Sequence, residues 1–189
     1  MKHHAYDIVL IGGSAGSIPV CTALIKCLKK EQLIPVVLII HRMRNVYSEL
    51  DKLMSKETGT KKITEPEDKQ AIAPGKVYLA PQNYHLLFEE DGHFSLDYSD
   101  AVHYSRPSID VSFESAAMTY QNRVLAILLS GANADGAKGM SQLAELGATC
   151  WVQDPASTSY PAMPSAAIAM AKGIKIMTVE EMQERLREL

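Results

Sequence analysis

The chain has 189 residues, 47% of them hydrophobic and 22% charged, with a formal net charge of -3. That length suits one domain with a sizeable core, and the charge balance gives no electrostatic argument for nucleic acid or an anionic membrane surface as partner. No apolar run approaches the roughly 18 residues of a membrane-spanning helix.

The first apolar run, residues 6–11, reads as a buried strand. It breaks into Gly12-Gly13-Ser14-Ala15-Gly16, which fits G-x-S-x-G. A secretory signal would have to remove this segment, so a cytoplasmic location is expected. Residues 19–30 read as a helix with Val20, Leu24, Ile25 and Leu28 on one face. Residues 35–40 form a second apolar strand, ended by His41. Residues 46–57 look helical, with Leu50, Leu53 and Met54 inward, and residues 61–65 suggest a short edge strand.

Residues 77–81 are a strand, and two short runs flanking Glu90-Asp91-Gly92 give a hairpin signal. Residues 108–120 are a helix. Residues 124–129 are the most hydrophobic strand and are expected at the centre. A helix over 137–146 ends at Gly147, residues 150–152 form another strand, and helices over 163–171 and 179–188 close the chain. The alternation predicts an α/β fold: a doubly wound, mostly parallel sheet with helices on both faces and an edge β-hairpin. Residues 1–189 read as a single domain. Cys21, Cys27 and Cys150 lack C-x-x-C spacing and suit a reducing compartment.

The Gly-rich turn has two readings from its own residues. It can hold a nucleophilic serine on a sharp strand-to-helix turn, or cradle a phosphate. Neither G-x-G-x-x-G nor G-x-x-x-x-G-K-[ST] occurs, which favours catalysis. Sites in open parallel sheets form beyond the carboxyl ends of strands. Ser14 follows the first strand, His41 the second, and a loop from Ser130 to Gly136 containing Asp135 follows the strand at 124–129. Serine, histidine and aspartate at three strand ends fit nucleophilic acyl transfer. Ser14 would attack, His41 would move its proton, and Asp135 would orient His41. A neutral imidazole, with an ordinary pKa of about 6.5, suits that transfer. Asp154 is a rival acid, since it too follows a strand. The order Ser…His…Asp differs from that of α/β-hydrolases. His85, His93 and His103 read as surface or edge residues, and His3 and His4 as terminal ones. No pair among His85, His93 and His103 has metal-like helical spacing, and neither a metal nor a cofactor is expected.

Several segments in order give the chain a family likeness. They are Ile11-Gly12-Gly13-Ser14-Ala15-Gly16, His41 after its strand, Arg106-Pro107-Ser108-Ile109-Asp110-Val111, Ser130-Gly131-Ala132-Asn133-Ala134-Asp135-Gly136, and Gln153-Asp154-Pro155. Across nearly its whole length the chain resembles the catalytic domain of the chemotaxis protein-glutamate methylesterases (CheB type). The resemblance places that family's serine, histidine and aspartate on Ser14, His41 and Asp135. It places oxyanion support on the backbone of Ala15 and Ala132. It implies a serine carboxylesterase acting on glutamate γ-methyl esters of chemoreceptor helices, with deamidation of certain glutamines by the same serine.

The departures carry expectations of their own. Ala15 stands where the family has threonine, and Ser17 is expected to crowd a turn that tolerates glycine. Asn133 replaces a glycine and is expected to accept a positive φ. Arg42 and Arg44 replace apolar and proline residues after His41. A solvated surface is the plain reading of both; the sharper one puts them, with Arg106, at the substrate rim, where guanidinium groups pair with carboxylates. No receiver domain is present in this chain: either it is a piece of a longer protein, or it is a stand-alone member not controlled in that way, for which a separate response regulator is a candidate partner. A binding module that kept the fold while its site drifted is the alternative. A fluorophosphonate probe separates the two readings.

Overall fold

The structure is a computed structural model that describes residues 6–43, 45–46, 48–59 and 62–189. Nine strands and six α-helices alternate along the described residues. The strands β1 (Ile8–Gly13), β2 (Val36–Ile40), β3 (Ile63–Thr64), β4 (Val77–Leu79), β7 (Val124–Leu128), β8 (Thr149–Gln153) and β9 (Lys175–Met177) build one parallel sheet. Its order is β3-β4-β2-β1-β7-β8-β9. Every residue of β1, β2 and β7 is buried, which is why these segments read as unbroken apolar runs rather than alternating ones.

Side chains alternate across the sheet and feed two cores. Ile8, Leu10, Val37, Ile39 and Leu128 pack on the side of α3 (Ile109–Tyr120), α4 (Ala137–Glu145) and α5 (Ala162–Met170). Val9, Ile11, Leu38, Ile40 and Ile127 pack on the side of α1 (Ser17–Cys27), α2 (Leu50–Thr58) and α6 (Val179–Leu186). Each such side chain, fully buried, contributes roughly 1.5–3 kcal/mol. The helices are therefore held by packing more than by their own propensity.

Three features differ from the sequence reading. β1 occupies the middle of the sheet, with β7 beside it. The hairpin of β5 (His85–Phe88) and β6 (Phe94–Asp97) forms a separate two-stranded sheet. It is fastened to α3 where Ser115 and Thr119 hydroxyls donate to the Phe88 carbonyl. Strand β9 carries only one buried residue, Met177, so its apolar signal is too weak to read. The cysteines are free, with Cys21 and Cys150 buried. Burial pushes both thiols up to about 12, as for packed rather than reactive cysteines.

Candidate active site

Parallel pairing brings the three strand ends together. Gly13 lies opposite Ile40 and Gly12 opposite Leu128. Just beyond, the His41 N–H donates to the Gly13 carbonyl at 3.1 Å and the Leu129 N–H to Gly12 at 2.9 Å. The Ser14 N–H donates to the Ser130 carbonyl at 2.9 Å. Ser14, His41 and the loop leading to Asp135 thus leave adjacent positions at one edge.

The turn carrying Ser14 is braced from within. Gly16 has φ 79°, a left-handed conformation that side chains resist. A Cβ there would also lie 3.1 Å from the Tyr160 ring and 3.2 Å from Ser130 Oγ. Ser17 does not crowd this turn. It is buried, and its hydroxyl donates to the Ser14 carbonyl at 2.7 Å. Ser14 itself is partly exposed, and its hydroxyl makes no hydrogen bond among the described residues. Neither the Ala15 nor the Ala132 amide has an acceptor among the described residues. Both remain available to a developing oxyanion.

Asp135 is fully buried yet accepts four hydrogen bonds. Its Oδ2 receives His41 Nε2–H at 2.7 Å and the Ile109 amide at 2.8 Å. Its Oδ1 receives the Ser108 hydroxyl and the Asp110 amide, each at 2.9 Å. The carboxylate therefore sits on the N-terminus of α3, where amides point outward and the helix dipole favours negative charge. Ser108 caps the same helix, accepting from Val111 N–H. Burial alone would raise the Asp135 carboxyl. The His41 hydrogen bond and the Asp110 and Ile109 amides outweigh it, and the net shift is downward. Asp135 is thus a fixed anion. Gly136, at φ 93°, then turns the chain into α4. A Cβ there would come within 2.8 Å of Ile109 Cγ2, so glycine is needed for α3 to reach the carboxylate.

The His41 tautomer follows. An ionised Asp135 accepts the Nε2 proton, so Nδ1 carries the lone pair. The expected hydrogen bond from Ser14 to that nitrogen is not formed. Ser105 Oγ lies 3.2 Å from Nδ1 instead. Asp154 is not the histidine's partner. It caps the short turn that follows β8, accepting from the Ala156 amide at 2.9 Å.

Other expectations are corrected by the geometry. Arg42 is not a solvent-facing rim residue, for its side chain is only 6% exposed. Its Nη1 donates to Glu65 at 2.6 Å and its Nη2 to the Ala80 carbonyl at 2.7 Å. Arg106 donates from Nη1 to the Tyr98 and Ser99 carbonyls, and its guanidinium stacks 3.9 Å from the Tyr98 ring. It holds its own loop. Arg44 lies outside the described residues. Asn133 keeps a negative φ and serves through its side chain, which accepts from the Asp135 amide at 3.2 Å. His85 is buried, not an edge residue. Its Nδ1 accepts from the Ser108 amide and its Nε2 donates to the Asp100 carbonyl. His103 pairs with Asp110 at 3.3 Å. Burial is the main cause that raises the Asp110 carboxyl, against the Gly139 amide that lowers it. His103, Asp110 and Asp135 approach one another within 4.8 Å, and each is already hydrogen-bonded or ion-paired within the chain.

Sequence reasoning missed Ser105 and the support from Ser108. A serine directly before an apolar helix signals a cap and could have revealed Ser108. Nothing in the sequence marks Ser105, which reaches His41 only through the course of its loop.

Comparisons with known proteins identify the family and the fold. The CheB methylesterase family matches residues 9–186. A Leptospira interrogans protein, provisionally named a protein-glutamate methylesterase/protein-glutamine glutaminase, is 37% identical over 179 residues, covering 95% of this chain and 92% of its own. A Thermotoga maritima protein-glutamate methylesterase/protein-glutamine glutaminase is 30% identical over 185 residues, and the match spans 54% of its length. The crystal structure of the Thermotoga maritima CheB methylesterase catalytic domain superposes with a TM-score of 0.87 at 29% identity, covering 97% of this chain and 98% of that one. Among the described residues no helix is long and apolar enough to cross a membrane.

Proposed function

For a chain that belongs to the CheB methylesterase family, we propose the activity of a cytoplasmic serine carboxylesterase that hydrolyses glutamate γ-methyl esters on chemoreceptor helices. The observation that carries this reading is the 2.7 Å contact between His41 Nε2 and buried Asp135, one strand end away from Ser14. It leaves Nδ1 as the ring nitrogen able to take the Ser14 proton.

The chemistry follows from those positions. Ser14 Oγ attacks the γ-carbonyl carbon while its proton passes to His41 Nδ1. Asp135 stabilises the imidazolium without itself taking the proton. The carbonyl oxygen becomes an oxyanion facing the Ala15 and Ala132 amides. Collapse expels methanol, which leaves with the proton from His41. Water, deprotonated by His41, then attacks the acyl-serine, releases the glutamate carboxylate and restores Ser14. With a glutamine substrate the same path expels ammonia. No step requires a metal or cofactor.

The test is methanol release from a methylated receptor fragment. The intact protein should release it and the Ser14→Ala variant should not. A protein that binds the fragment without releasing methanol would be the drifted binding module instead.

A further inference from the structure

Tyr104 is 95% exposed, while its neighbour Ser105 turns inward to His41. The loop between β6 and α3 is held in an unusual shape to achieve this. His103 and Tyr104 both have positive φ, 49° and 62°. Two consecutive bulky residues in the left-handed region are strained. Backbone bonds between Val102 and Ser105, at 2.9 and 3.2 Å, close the turn. The His103–Asp110 pair and a contact of Asn133 Nδ2 with the His103 carbonyl at 3.5 Å tether it.

We propose that Ser105 is a positioning residue that occupies the lone pair of His41 in the resting protein, so that Ser14 must displace it before attack. The inference rests on the esterase reading given above. His41 donates its Nε2–H to Asp135, so only Nδ1 can accept. An imidazole nitrogen offers one lone pair. Ser105 O–H now donates to it, and Ser14 O–H has to. The two hydroxyls therefore compete for one acceptor, and the strained loop sets the balance. The other ionisable groups around His41 do not share this acceptor. Asp135 faces Nε2, His103 is paired with Asp110, and the Arg42 charge is paired with Glu65.

Two measurements test the competition in the full chain. The first is the labelling rate of Ser14 by a small neutral fluorophosphonate. Ser105→Ala should raise it about two- to tenfold, the range of one net neutral hydrogen bond. Ser105→Thr, which keeps the hydroxyl, should restore the original rate. The backbone bonds of Ser105 survive either change. The second is the ring nitrogen resonance of His41, assigned by its loss in His41→Gln. Its Nδ1 signal should be unmoved by Ser14→Ala and displaced by Ser105→Ala. Removal of both hydroxyls should bring it to the position of a free lone pair. Labelling that is unchanged or slower in Ser105→Ala, or an Nδ1 signal that follows Ser14 and ignores Ser105, overturns the proposal. If the wild-type protein takes no label at all, the esterase reading fails, and the nitrogen resonance still decides whether Ser105 holds His41.

Discussion

Asp135 Oδ2 and His41 Nε2 stand 2.7 Å apart, and the same carboxylate receives the Ile109 and Asp110 amides at the start of α3. One side chain thereby fixes the imidazole and anchors a helix N-terminus. Asp135→Asn should damage both. An amide nitrogen placed against the α3 amides would leave a buried donor unpaired, at a cost of about 1–3 kcal/mol. It would also lose the acceptor that fixes the Nε2–H tautomer. Turnover of a methyl ester should fall about 10⁴-fold, the scale of aspartate-to-asparagine changes in serine triads. Thermal unfolding together with ester kinetics on the purified variant checks the pair of effects. A variant that loses stability but keeps turnover would remove Asp135 from the orienting role.

The same carboxylate should make the fold acid-sensitive in a defined window. Its net shift is downward, because the hydrogen bonds from His41 and the helix amides outweigh burial. A depressed folded pKa means stability that is fully present above the ordinary aspartate value, about 3.9, and lost as pH falls through the folded value. The gap in melting temperature between wild type and Asp135→Asn should be steady near neutrality and narrow below about pH 4. A constant gap through the acid range would mean that the carboxylate's charge is not what the α3 terminus uses.

Ser14 offers the opposite combination. Its hydroxyl has no hydrogen bond within the described chain, while its amide donates to the Ser130 carbonyl and its carbonyl accepts from the Ser17 amide and hydroxyl. Ser14→Ala should leave the melting temperature within the scatter of surface substitutions, about 0.5 kcal/mol. Ester turnover should fall by at least about 10³-fold, as when a serine nucleophile is removed elsewhere. Residual activity near the wild-type level would point to another nucleophile.

The legibility of this site in the sequence divides by physical cause. Ser14, His41 and Asp135 could be read because each follows an apolar parallel strand, and parallel strands end at a common edge. The hairpin announced itself by Glu90-Asp91-Gly92, yet its place on α3 depends on the Ser115 and Thr119 hydroxyls meeting Phe88. Such pairings have no local signature. Arg42 misled because an arginine beside a site looks like a rim charge. Its actual acceptors, Glu65 and the Ala80 carbonyl, come from the segments just after β3 and just after β4. Ser105 was illegible for a similar reason, since its reach to His41 depends on two left-handed residues that no glycine or asparagine marks.

The geometry of Arg42 reverses what the sequence led us to expect of its removal. A rim arginine would affect encounter with an acidic helix and its salt dependence, leaving stability alone. A guanidinium buried to 6% exposure that bridges Glu65 and the Ala80 carbonyl should matter to the fold. Arg42→Ala leaves that carbonyl without its donor and Glu65 without its partner. It should destabilise by about 1–3 kcal/mol. Arg42→Lys should recover only part of this, because one ammonium cannot reproduce a planar fork that donates to two acceptors at once. His41 precedes Arg42 directly, so turnover should fall alike on an acidic receptor helix and on a small neutral ester. Thermal melting of both variants, with kcat/KM on the two substrates at low and high salt, reads all of these effects. Unchanged melting with a selective, salt-sensitive loss on the acidic helix would restore Arg42 to the substrate rim.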